Sequence, residues 1–197
     1  MKVEIRANQA HLEGYVTAVG RDSRVLASPK GMFVEQVKPG TFQRALGRGH
    51  AVELRFNHGR VLGSTADNTV ELVEDAIGLR AKAVISDEEV IKKARNGELR
   101  GWSFGFRVLQ DDWEDFKEGV QRRYLEDIDL REVSLLDVTP AYIGTSVEER
   151  DGESHILEER SIEDAPEIVE DAPEQEKKET NIMAELKCRR LKLGGKL

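Results

Sequence analysis

One cysteine, Cys188, stands in a chain of 197 residues, and that near-absence excludes several chemistries at once. A disulfide framework, a cysteine-rich zinc module and a cysteine nucleophile in the body of the chain are all ruled out. No apolar run approaches the roughly 20 residues that span a bilayer, and Met1-Lys2-Val3-Glu4-Ile5-Arg6 lacks the apolar centre of a signal peptide. The expected compartment is therefore reducing, the cytoplasm in which the chain is made. There is no phosphate-binding loop and no glycine-rich dinucleotide fingerprint. The formal net charge of −8 gives no footprint for nucleic acid.

What charge there is lies unevenly. Between Glu148 and Asn181 there are 14 acidic and 4 basic residues, whereas Ile182 to Leu197 holds 5 basic and 1 acidic. The acidic stretch, with Pro166 and Pro173 and few large apolar residues, reads as a disordered tail over 148–197 that ends in a short basic segment. Residues 1–147 have the length and apolar content for one core. Period-two alternation recurs through them, with strands expected near Val3–Arg6, His11–Val19, Met32–Val37, Val52–Phe56, Val61–Ser64, Thr69–Val73, Leu79–Ile85, Gly101–Leu109, Tyr124–Asp129 and Arg131–Val138. Two short helices are expected, one over Thr41–Leu46 and one capped by Ser86 and ending at Asn96-Gly97. Asp111–Gly119 reads as an exposed acidic hairpin loop. Many short strands with few helices predict a mainly β domain, closed or nearly closed into a barrel.

Three segments carry candidate chemistry. In Arg100-Gly101-Trp102-Ser103-Phe104-Gly105-Phe106-Arg107-Val108 the aromatics share one face, which leaves Ser103, Gly105 and Arg107 on the other. Ser103 is expected to be displayed, with open space beside it at Gly105. The plain alternative is a serine on a solvated strand face. Next, Val52, Leu54 and Phe56 form an apolar face that ends at Asn57-His58-Gly59, so His58 sits at a strand end. An imidazole there can take a proton from a serine and return it to a leaving amine. His50 in a glycine-rich turn, His11 at the first strands and His155 in the tail have weaker contexts. Finally, in Leu130-Arg131-Glu132-Val133-Ser134-Leu135 a carboxylate and a hydroxyl share one face, and Glu132 is placed to orient an imidazole. Serine, base and orienting group form a nucleophilic unit that recurs on unrelated folds in any chain order.

These segments and their order resemble the prohead (procapsid) maturation proteases of tailed bacteriophages, relatives of the herpesvirus assemblins. The resemblance runs over residues 2–147, through Gly14-Tyr15-Val16, Phe33-Val34-Glu35, Pro39-Gly40-Thr41-Phe42, Asn57-His58, Ile77-Gly78-Leu79, Trp102-Ser103-Phe104-Gly105-Phe106, Leu130-Arg131-Glu132-Val133-Ser134-Leu135 and Pro140-Ala141. It implies an assemblin-like fold and a serine endopeptidase with Ser103 as nucleophile and His58 as general base. The assemblins' second histidine lies downstream of the serine, and here only His155 does, so Glu132 is the expected third member, with Asp137, Asp129 and His155 behind it. The resemblance further implies that no cofactor or metal is needed. The implied substrates are the major capsid protein with its scaffolding segment and the chain itself, cut inside the assembling prohead in the host cytoplasm. The portal and a second copy of the chain are further candidate partners, and neither membrane nor nucleic acid is expected. A non-catalytic capsid-associated scaffold or pilot protein on the same fold is the alternative.

Overall fold

A computed structural model describes residues 1–28, 31–137, 145–150, 153–163 and 167–170. The chain opens with strands β1 (Lys2–Arg6), β2 (Gln9–Ala18), β3 (Leu26–Ser28) and β4 (Gly31–Val37), then helix α1 (Thr41–Gly47). Strands β5 (Glu53–Phe56), β6 (Arg60–Ser64), β7 (Val70–Glu74) and β8 (Gly78–Ile85) precede helix α2 (Glu88–Arg95). Two 17-residue strands follow, β9 (Gly101–Lys117) and β10 (Val120–Leu136), and then β11 (Thr145–Arg150), β12 (Glu153–Glu163) and β13 (Glu167–Glu170). The protein is mainly β with two short helices, as the alternation predicts.

The strands do not close into the expected barrel. They divide between a five-stranded sheet, β13-β1-β2-β8-β7, and an eight-stranded sheet, β11-β12-β9-β10-β4-β3, in which β5 joins β10 and β6 joins β5. Strand pairing passes within each sheet and, among the described residues, does not link one to the other. One apolar cluster lies between them, with Val3, Leu12, Val16 and Ile85 from the smaller sheet and Leu54, Trp102, Phe104, Phe106, Val133 and Leu135 from the larger. Phe104 stacks on Phe106 at 5.1 Å and meets Phe42 of α1 edge-on at 5.4 Å. Helix α2 starts one residue later than the sequence suggests, because Asp87 rather than Ser86 accepts from the Val90 amide as its cap.

The long β9–β10 ribbon accounts for the other differences. The acidic segment read as a loop continues β9 as far as Lys117, because its charges face a basic partner strand. Arg122 pairs with Glu114, Arg123 with Asp111, and Trp113 packs on Phe33 at 5.3 Å. The two strands expected at Tyr124–Asp129 and Arg131–Val138 are one strand with a β-bulge. Leu130 pairs with Phe106 and Glu132 with Gly105, which leaves Arg131 as an extra residue. The bulge reverses the alternation, so that Ile128 and Leu130 before it and Val133 and Leu135 after it all reach the core. Glu132 is thereby turned onto the face that Arg107, Gly105 and Ser103 share.

The sheet also runs past the boundary near Val147 that composition suggests. Strand β12 lies antiparallel against β9, with Glu159 opposite Gly105 and Ser161 opposite Ser103. Buried charges hold it there. Arg160 is bidentate to Glu35 of β4, at 2.6 and 2.8 Å, and Glu158 is bidentate to Arg123 of β10, at 2.7 and 3.0 Å. Burial alone would raise the Glu158 carboxyl, but the hydrogen bonds and charges of Arg123 and Arg160 outweigh it and hold the group below its ordinary value of 4.5. A carboxyl depressed in the folded state contributes stability above its unfolded value and loses it as pH falls through the lowered one. The β12–β9 ladder is therefore expected to be intact at neutral pH and to loosen below about pH 4.5. Hydrogen exchange at the β12 amides from pH 7 to pH 3 checks this, and Glu158→Gln should flatten the acid limb.

Candidate active site

His58 is placed by a hairpin turn that its own sequence does not favour. Strands β5 and β6 are joined through Asn57-His58-Gly59, the Gly59 amide donates to the Phe56 carbonyl at 3.1 Å, and both central residues have positive φ, 50° at Asn57 and 58° at His58. Two left-handed central residues match a type I′ turn, for which Asn-Gly is the preferred pair. Asparagine suits the first position, but a histidine in the second costs on the order of 1 kcal/mol relative to glycine. The tip is fastened to the end of β10. The Asn57 amide donates to the Leu135 carbonyl at 2.9 Å, and its side chain donates to Asp137 at 2.7 Å. Burial would raise the Asp137 carboxyl, but Lys93 and Asn57 bind its charged form and keep it below its ordinary value.

The imidazole is held over the sheet by a buried carboxylate. His58 Nδ1 lies 2.5 Å from Glu132 Oε1, and the Glu132 side chain is 1% exposed. Gly105, opposite Glu132 in the ladder, makes the room, because a Cβ there would lie 2.7 Å from Glu132 Cγ and 3.0 Å from Oε1. The space expected beside Ser103 thus exists but is filled by the Glu132 carboxylate rather than left open. Burying a carboxylate demands countercharge. Arg55 of β5 supplies it, with Nε 3.0 Å from Glu132 Oε2, and the same guanidinium donates to the His58 carbonyl at 3.3 Å and to Glu53 at 2.7 Å. Sequence reading missed Arg55. Its signal lay in the polar face of β5, where Glu53 and Arg55 alternate with the core residues Leu54 and Phe56.

Ser103 lies two residues from Gly105 on one strand, hence on the same face and about 7 Å along it. It is not displayed as expected. It is fully buried because β12 covers that edge of β9, and its Oγ donates to the Arg160 carbonyl at 2.7 Å. Ser134 stands opposite Ser103 in the ladder and is also buried. Glu159 of β12 brings Oε2 to 3.7 Å from His58 Nε2, the nitrogen turned away from Glu132.

The other residues named from sequence lie further along the same ribbon or elsewhere. Asp129 is opposite Arg107 at 3.5 Å and also meets His50 and Arg131, at 3.5 and 3.4 Å. Asp137 binds the turn rather than the imidazole. His11 is in β2, opposite Glu4. His155 is in β12 opposite Glu148, and its side chain lies outside the described residues, as do 171–197 with Cys188. His58, Glu132 and Glu159 together present donor atoms within 4.8 Å of one another, a spacing that could also hold a cation. Acid–base work is the other use of the same set, with Nδ1 of the imidazole fixed by the Glu132 carboxylate and Nε2 turned away from it toward Glu159 of β12.

A family model described as caudovirus prohead serine protease matches residues 1–159. No curated protein and no solved structure matches the chain. The match covers all three segments picked out in the sequence, and it extends beyond Val147 into β12.

The conformation at position 58 can be tested without any assay of activity. His58→Ala and His58→Gly remove the same imidazole, but only alanine keeps a Cβ in the left-handed region. The glycine variant is expected to be more stable than the alanine variant by about 1 kcal/mol, as read from paired urea denaturation curves.

Proposed function

Because the chain belongs to the caudovirus prohead serine protease family, we propose that it is a serine endopeptidase in which Ser103 attacks the scissile carbonyl, His58 takes the serine's proton, and Glu132 orients the imidazole. The observation that carries this is the 2.5 Å contact between His58 Nδ1 and a buried Glu132 carboxylate, on the face that Ser103 shares. A carboxylate on Nδ1 fixes the tautomer that leaves Nε2 as the basic nitrogen, and it stabilises the imidazolium formed when the serine gives up its proton. The proton then passes from Nε2 to the departing amine, and water drawn into the same place completes hydrolysis of the acyl-enzyme. Arg55 balances the Glu132 charge and grips the His58 carbonyl, so it acts as a positioning residue.

The expected substrates are those the family description implies, namely capsid proteins of the assembling prohead, with the scaffolding segment of the major capsid protein and the chain itself foremost. The place of action is the prohead interior. The alternative, a capsid-associated scaffold without turnover, makes no use of a buried carboxylate beside a histidine in an unfavourable backbone conformation.

Coexpression with the capsid protein, read by mass spectrometry, tests the assignment. Ser103→Ala is expected to remove all processing, about a 10⁶-fold loss, and His58→Ala nearly as much. Glu132→Gln keeps the shape of the side chain and loses the charge, and is expected to lower the rate by about 10⁴-fold. Processing by Ser103→Ala at the normal rate would remove Ser103 from its role and bring Ser134 forward.

A further inference from the structure

Strand β12 touches both Ser103 and His58 without supplying either. It joins β9 by antiparallel pairing, the way an extended peptide adds to an exposed sheet edge, where main-chain hydrogen bonds hold the peptide and alternate side chains enter pockets on opposite faces. Arg160 enters on the core side. Its guanidinium is bidentate to Glu35 at 2.6 and 2.8 Å and lies over the Phe106 ring at 5.4 Å. Glu159, the preceding residue, turns to the other face and meets His58 Nε2 at 3.7 Å. Between them the carbonyl of Arg160, the one that forms the peptide bond to Ser161, receives the Ser103 hydroxyl at 2.7 Å. A strand serving only to complete a sheet has no need to set a carbonyl against that hydroxyl. Nor does it need to carry a buried arginine onto Glu35, a carboxylate itself 4% exposed, in a place where an apolar side chain costs less.

We propose that β12 lies in the enzyme's own substrate groove, that Arg160–Ser161 is the bond the chain cuts in itself, and that Glu35 selects a basic residue before the cut. The proposal rests on the serine endopeptidase reading. In the present arrangement the Ser103 proton points at the carbonyl oxygen, so attack needs rotation about the Ser103 Cα–Cβ bond to hand that proton to His58. Ser103 Oγ then bonds to the Arg160 carbonyl carbon, and the C–N bond to Ser161 breaks as His58 returns the proton to the Ser161 amine. Water hydrolyses the ester, which restores the serine hydroxyl and leaves a carboxylate on Arg160. Until that cut is made, β12 excludes other extended peptides from the same edge. The same groove is then open to basic-residue segments of capsid substrates.

The test uses the full chain, followed by intact mass and by sequencing of any new N-terminus. The wild type is expected to yield a fragment beginning Ser161-Ile162-Glu163-Asp164, Ser103→Ala to stay whole, and Arg160→Lys to be cut at the same bond. Arg160→Met keeps the stem and drops the charge. It and Glu35→Gln are expected to slow that cut at least about 100-fold. Rescue by lysine separates recognition of charge from a merely structural role for Arg160, and circular dichroism of each variant checks that the fold is kept. A Ser103-dependent cut at another bond, or cutting of Arg160→Met at the wild-type rate, overturns this assignment and leaves the peptidase reading in place. A wild-type chain that remains whole under these conditions also overturns it, whereas cutting by Ser103→Ala overturns the peptidase reading itself.

Discussion

The Glu132 carboxylate is buried to 1% exposure, and the architecture around it follows from the need to tolerate that charge. A buried carboxylate is stable only with countercharge and hydrogen-bond donors close by. The imidazole of His58 and the guanidinium of Arg55 meet that need from the β5–β6 hairpin, which is why the hairpin must lie in register against the last third of β10, with Glu53 opposite Glu132 and Phe56 opposite Leu135. Glu132 reaches that face only because Arg131 bulges out of the ladder. With strict alternation from Leu130 onward it would point into the core beside Phe104. The carboxylate then fits over β9 only because residue 105 has no side chain. The bulge, the glycine and the left-handed histidine are three local departures from regular β structure, and each is needed for one contact.

That is also why the sequence revealed so much of the strand content and less of how strands join. The apolar face of Trp102, Phe104 and Phe106 and that of Leu54 and Phe56 are period-two signals that burial enforces, and the core contains all five residues. The parity change between Leu130 and Val133 is just as legible, but a pattern of one chain cannot tell a strand boundary from a bulge, because both interrupt alternation. Only the partner strand, on which Phe106 and Gly105 are consecutive while Leu130 and Glu132 are not, distinguishes them. Closure failed as an inference for a similar reason. A count of strands fixes neither the number of sheets nor their edges, and here the chain distributes its strands over two sheets.

Composition misleads most in segments where charge is satisfied across strands. Asp111–Lys117 reads as a solvated loop until it is set opposite Arg122 and Arg123, after which the same acidic residues become a reason for pairing. Glu158 and Arg160 repeat the lesson in a stretch whose net charge suggests disorder. Their partners, Glu35 and Arg123, are more than thirty residues away in sequence and come from two different strands. Pairing of that kind is invisible to any window along the chain, and it is what brings β12 onto the edge of β9 and hides Ser103.

A scaffold and an enzyme on this fold would differ in what selection has to keep. Replacing a buried ionic cluster by apolar groups of similar volume is often neutral or stabilising, and glycine at position 58 would relieve the turn, so a protein under pressure for stability alone has cheaper solutions at each of these places. One such cost falls where the His58 imidazole meets the buried Glu132 carboxylate, whereas the far end of the ribbon, at Glu118-Gly119, is an ordinary turn with glycine at φ 72°. Unfavourable conformations and buried charges of this kind cluster at functional sites, where surrounding structure over-determines them. The left-handed histidine of the β5–β6 hairpin and the buried carboxylate of β10 beside it therefore favour chemistry over scaffolding, independently of the family to which the chain belongs.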